Sequence, residues 1–282
     1  QLKQLLAHHR IPYTANCEKL LYSFFVAGNA DGATDSNDGI HAPLLAKLPA
    51  LNDNGLIKFG VFTGDFIASG SQDAYNEFFD QVQAFSKPIY AVPENHEEKG
   101  TGERLFQEYF GSKYNAKVID GSLFLFLDPD DESWSISPEQ IAFIEQELKK
   151  NKNPKNIFVF THQLAWWEEN DPRFEDVVPN SLAGKNGPGN FWTEVIPLFE
   201  THSDKTTFIA GDVGAFPNGS EYSFTKADGF TFISSGMGGN ERDNLLVVYV
   251  KQNGVDFELH GLNVNTPFVP NPLDRSAPLG AE

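Results

Sequence analysis

Apolar positions along this chain fall into two rhythms. Nearly unbroken apolar stretches of strand length occur at residues 20–27 and 123–127, as expected of strands covered on both faces. Shorter β-rich runs end at Thr63, Val92, Thr161 and Gly211, and further strands are predicted over 230–235, 245–250 and 255–260. Helical spacing predicts segments over 2–10, 42–51, 73–85, 103–110 and 191–200. The clearest is 73–85, with Tyr75, Phe78, Phe79 and Val82 on one side. Ser137, Pro138 and Gln140 read as the cap, first position and third position of a helix reaching Lys150. Residues 163–190 read as a long loop. Strands alternating with helices, closed by a run of strands, predict α/β layers with an antiparallel section. No repeat or linker interrupts the pattern, which predicts one domain over 1–266 and an extended tail over 267–282.

Four polar clusters follow directly on the β-rich runs: Gly64-Asp65, Asn95-His96-Glu97, His162 and Asp212. Strands that each end in a metal-ligand type converge those ligands at one edge of a sheet. Oxygen and imidazole donors gathered there suit a divalent cation that activates water, which points to metal-assisted hydrolysis. Each residue also has a plainer reading. Asp65 fits a turn cap, Asn95-His96 a turn with a hydrogen-bonded histidine, and His162 a satisfied core histidine. Asn29 and Asp31 lie in Gly28-Asn29-Ala30-Asp31-Gly32, a good loop sequence without any metal.

These motifs, in this order, resemble the calcineurin-like metallophosphoesterase superfamily over roughly residues 20–262. That family carries Asp-x-His, Gly-Asp, Gly-Asn-His-Asp/Glu, a lone His and Gly-His-x-His on loops after strands. Trp134 and the 137–140 helix start, ahead of His162, resemble its larger, purple-acid-phosphatase-like members. The resemblance implies a four-layer αββα sandwich, two mixed β-sheets flanked by helices. It implies Asp65, Asn95, His162 and Asp212 around one cation, and Asn29 and Asp31 with Asp65 around a weaker second. His96 would be the acid that protonates the leaving oxygen, with Glu97 orienting it and holding it protonated. The departures are Asn29-Ala30-Asp31 for Asp-x-His, Glu94 for the Gly before Asn95, and Gly211-Asp212-Val213-Gly214, which lacks both final histidines. One ion is therefore expected more than two. The oxygen-rich set moves preference from Zn²⁺ towards Mn²⁺, Mg²⁺ or Ca²⁺, with Fe and Zn also open.

Composition narrows the partners. The 282 residues carry 21 Lys and Arg against 39 Asp and Glu, a net charge of −18, which repels nucleic acid and anionic membrane surfaces. Cys17 is the only cysteine, so no internal disulfide forms, and no stretch is long and apolar enough to cross a membrane. The acidic balance, the start at Gln1 rather than Met and a linker-like tail favour an exported protein. The expected substrate is a phosphate ester of a small molecule or glycan. The alternative is a catalytically impaired member of the same fold that binds a glycan, metal or protein partner. Trp166, Trp167 and Trp192 fit either a pocket wall or the core. The run 234–239 fits a glycine turn or an anion-binding backbone, and 128–132 a solvated acidic run or a Ca²⁺ site. His8, His9 and His41 read as surface residues with no visible partner.

Overall fold

The computed structural model describes residues 19–31, 39–129, 132–216, 218–239, 242–262 and 271–272. The predicted helix 2–10, His8, His9, Cys17, Asp130, Asp131 and most of the predicted tail lie outside them. The first half holds β1 (Leu20–Ala27), α1 (Ala42–Asp53), β2 (Ile57–Thr63), α2 (Gln72–Gln81) and β3 (Ile89–Val92). Then come α3 (Asn95–Glu98), α4 (Gly102–Phe110), β4 (Asn115–Ile119), β5 (Ser122–Phe126), α5 (Pro138–Lys150) and β6 (Ile157–Thr161). The remainder comprises α6 (Ile196–Phe199), β7 (Thr206–Ala210), β8 (Tyr222–Ala227), β9 (Phe230–Ser235), β10 (Asn244–Lys251), β11 (Val255–Gly261) and β12 (Asn271–Pro272).

Two six-stranded sheets result, in the orders β12-β11-β10-β1-β2-β3 and β4-β5-β6-β7-β9-β8. The strands β1, β2 and β3 run parallel, as do β5, β6, β7 and β9. Antiparallel pairs complete both sheets. The predicted α/β sandwich of two mixed sheets flanked by helices is the observed architecture.

The period of two along each strand sorts the chain into layers. In β1, Phe24 and Val26 face the other sheet, where they meet Phe124, Phe158, Phe160 and Ile233. The alternate residues Phe25 and Ala27 pack with Leu44, Phe78 and Leu105 of the first helical layer. On the far side, Leu125, Val159 and Phe208 pack against Ile144 of α5 and Phe199 of α6. Much of the phenylalanine content serves the middle layer, where the Phe24 and Phe59 rings stack at 4.8 Å and Phe124 and Phe158 at 5.0 Å.

Sequence patterning missed β4 and β8, both edge strands. Each is only partly buried and mixes Lys, Asn or Thr with apolar positions, so the apolar signal is weak. The expected helix over 191–200 is a π-helical turn (Phe191–Val195), α6 and a 3₁₀ segment (Glu200–Lys205). Pro197, which lacks a backbone N–H, lies where the first gives way to the second. Within the predicted tail, Asn271 and Pro272 pair with Leu259 and Glu258 as a short edge strand.

Candidate active site

Parallel strands carry their C-terminal ends to the same side, and the loops leaving β1, β2, β3, β6 and β7 meet there. The backbones come close: a Cβ on Gly211 would sit 2.2 Å from the Thr63 carbonyl oxygen, and one on Gly28 2.5 Å from the Gly211 Cα. After β2 the chain turns through Gly64 (φ +74°) and Asp65 (φ +48°), both left-handed. The Gly64 Cα lies against the His162 ring, and a Cβ there would fall 2.3 Å from Nδ1. Gly64→Ala is therefore expected to displace His162 and weaken cation binding about tenfold or more. Calorimetric titration with Mn²⁺ beside a thermal melt checks this.

His162 is oriented by its own backbone surroundings. Its Nδ1 is 2.8 Å from the Thr63 carbonyl, so Nδ1 carries the donated hydrogen and Nε2 points into the cavity. There Nε2 lies 3.6 Å from Asp65 Oδ2 and 3.9 Å from Asp212 Oδ1. Burial pulls this imidazole down, but Asp65, Asp212 and Glu94 outweigh it and hold it at about 10. The carboxyls are raised as well, which for them disfavours the charged form. Asp31 is pushed up to about 7 by burial and by Asp65. Glu94 is raised to about 7 by burial and Asp65 against the pull of His162, and Asp212 to about 6 by burial. Crowded acids of this kind, with one Asp65 oxygen buried and unpartnered, are a donor set short of positive charge.

One cavity of about 430 Å³ collects Asn29, Asp31, Asp65, Asn95, His96, His162 and Asp212, together with Glu94. Asp65, Glu94 and His162 offer ligand atoms within 4.8 Å of one another. In the sequence Glu94 stands only as a departure from the family glycine. The rule that singled out Asp65, a carboxylate directly after a strand, applies equally to Glu94 after β3. Its Oε2 accepts the His96 N–H at 3.0 Å, and its Oε1 accepts from the Asn95 amide. The Asn95 side-chain nitrogen is thus engaged by the Glu94 carboxylate.

Glu97 has a structural task rather than the expected one. It does not orient His96: its buried carboxylate accepts the backbone N–H groups of Phe66 (2.9 Å), Glu94 (2.9 Å), Asp65 (3.2 Å) and Ile67 (3.3 Å). Glu94 and Glu97 cap α3 reciprocally, a structural use of acidic residues three apart. The side chains near His96 Nδ1 are instead Asp31 at 3.8 Å and Asp65 at 3.9 Å. Burial lowers the His96 pKa, contrary to the expectation that a carboxylate holds it protonated.

The side expected to hold a second ion is bound up in amides. Asn29 Nδ2 donates to the Met237 carbonyl at 2.9 Å, and its Oδ1 accepts from Asn180 Nδ2 at 3.4 Å. Asn180 Oδ1 in turn accepts the Ala215 N–H at 2.7 Å, and its N–H donates to the Asp212 carbonyl at 3.0 Å. In the glycine run, the N–H groups of Gly238 and Gly239 are taken by the Asp243 carboxylate at 3.0 and 2.9 Å, which makes it a glycine turn. His41, read as partnerless, lies 2.8 Å from Asp243. Trp166 belongs to the outer core, Trp167 donates to the Val177 carbonyl and Trp192 to the Trp166 carbonyl. The tryptophan that does line the cavity is Trp134, tied to the Ala183 carbonyl at 2.9 Å. In the acidic run, Asp128 exchanges backbone hydrogen bonds with the Gln140 side chain.

A family model described as calcineurin-like phosphoesterase matches residues 8–194. A probable glycerophosphodiester phosphodiesterase of Arcobacter nitrofigilis is 27% identical over 110 residues, covering 36% of this chain and 40% of that protein. The chain thus matches about two fifths of the length of the first curated relatives. A dimetal phosphatase of Danio rerio shares the fold at a TM-score of 0.61 and 12% identity, over 91% of this chain and all of that one. A purple acid phosphatase from yellow lupin does so at 0.61 and 11%, over 87% of this chain and 52% of that one.

Proposed function

The chain belongs to the calcineurin-like phosphoesterase family, and from that premise we propose that it hydrolyses a phosphate ester with the help of one divalent cation. The observation that carries the proposal is the placing of Asp65, Glu94 and His162 within ligand distance of one another, with Asp212 beside them. These residues fit the ion the family uses. Nδ1 of His162 is held by a carbonyl so that Nε2 faces the carboxylates, which is how a ligating imidazole is set. Bound there, a divalent cation supplies polarisation of a phosphoryl oxygen and acidification of water.

The other roles fall to the chain itself. Asp65, Glu94 and His162 hold the cation, Asp212 adds a carboxylate, and Asn95 steadies Glu94. His96, half-buried at the cavity, transfers a proton to the leaving alcohol, a role worth about 10²–10⁴-fold when positioned. Trp134 supplies an aromatic wall to the cavity. Asn29, engaged with Met237 and Asn180, is withheld from a second ion, and Gly214 offers no ligand. With three carboxylates and one imidazole, the site favours Mn²⁺, Mg²⁺ or Ca²⁺ over Zn²⁺.

The test is elemental analysis of protein purified without chelator, followed by assay of 4-nitrophenyl phosphate esters. One ion per chain is expected, with turnover lost in EDTA and restored by Mn²⁺. Two tightly held ions would remove the single-cation reading. Cation binding with no turnover of any ester would replace the hydrolase with the impaired, binding-only member of the fold.

A further inference from the structure

Resting on the phosphoester reading above, we infer that the cavity takes a singly charged phosphodiester bearing an apolar arm, in preference to a doubly charged monoester. The first ground is charge. Among the described residues, the lining contains the carboxyls of Asp31, Asp65, Glu94 and Asp212 and the imidazoles of His96 and His162, but no Lys or Arg. Nearby cations are engaged or set aside. Lys185 is ion-paired to Glu168 at 2.9 Å and lies over the Trp134 ring, while Lys99, whose charge acts on His96, is outside the lining. Four carboxylates against one divalent cation leave net negative charge facing the substrate. Each further negative charge on the ester is then repelled at short range, with no guanidinium or ammonium to receive the extra phosphoryl oxygen charge.

The second ground is the mouth. Besides the acids, the lining includes Ala183, Ala215 and Phe216. Phe216 is 45% exposed, and Leu182, between the lining residues Ser181 and Ala183, is 54% exposed. Large apolar side chains left open beside a polar centre are where the non-reacting arm of a ligand gains burial. The occupant they fit is an aryl or alkyl group esterified to the phosphate.

Calorimetry at pH 8 on Mn²⁺-loaded protein separates the two grounds, since a monoester is a dianion above a second pKa of about 6. Diphenyl phosphate carries one charge and apolar arms, phenyl phosphate two charges, and dimethyl phosphate one charge without a large arm. Diphenyl phosphate should bind about tenfold more tightly than either of the others, a difference of about 1.4 kcal/mol. Phenyl phosphate binding as tightly as the diester, or no diester binding at all, would overturn the charge preference. Equal binding of dimethyl and diphenyl phosphate would overturn the apolar arm. Phe216→Lys, at an exposed position, should narrow the gap between diphenyl and phenyl phosphate several-fold, and an unchanged gap counts against the mouth. Release of 4-nitrophenol from bis(4-nitrophenyl) phosphate is read separately. The expected binding order without release would sink hydrolysis alone, whereas hydrolysis with tighter monoester binding would sink this preference alone.

Discussion

Asp65→Asn should abolish turnover and weaken Mn²⁺ binding by about 100-fold or more, while leaving the protein folded. Asp65 sits at φ +48°, a left-handed conformation that asparagine also adopts with little strain, so the turn survives the change. What is lost is the charge. Asp65 Oδ2 lies 3.6 Å from His162 Nε2, and its other oxygen is buried without a hydrogen-bond partner. An amide there removes a negative charge and one of two ligand oxygens, because its NH₂ cannot ligate a cation and only the neutral carbonyl oxygen is left. Parallel measurement of Mn²⁺ affinity, ester hydrolysis and melting temperature gives the result. Undiminished cation affinity in this variant would place the ion elsewhere and remove the basis of the proposed function.

The second large effect is on stability. Glu97→Ala should destabilise the protein by about 4 kcal/mol or more, because it leaves three buried backbone N–H groups and a partly buried fourth without an acceptor. Three of them belong to Asp65, Phe66 and Ile67 in the loop after β2, so that loop is also released and cation binding falls with it. Glu97→Gln keeps the shape but turns an NH₂ towards backbone donors, and an intermediate loss is expected. Denaturant melts of the three proteins test the order. If Glu97 instead served only to orient His96, Glu97→Ala would slow turnover with the melting curve unchanged.

Much of the candidate site was legible because its residues stand directly after apolar runs. Asp65, His162 and Asp212 each terminate such a run, and the structure gathers all of them in one cavity. Glu94 was equally legible by that rule but was masked by comparison with a motif that has glycine there. Glu97 was misread for a different reason. A glutamate beside a histidine in sequence suggests a pair, yet consecutive residues on a helical turn point apart, and Glu97 faces inward to backbone amides while His96 faces the cavity. The π-helical turn at Phe191–Val195 was out of reach, since its apolar spacing differs little from that of an ordinary helix.

The order and type of most elements, the layered arrangement and the family were determined by the sequence alone, through hydrophobic periodicity and motifs at strand ends. The partners of individual polar groups were decided only by tertiary structure. Asn29, Asn180 and Met237 are far apart in the chain, as are Glu97 and the loop after β2, and nothing local specifies that they meet. Apolar burial depends on a repeating pattern that any stretch displays by itself. A hydrogen bond or a ligand set depends on the direction of two or more side chains, which exists only once both sheets have packed.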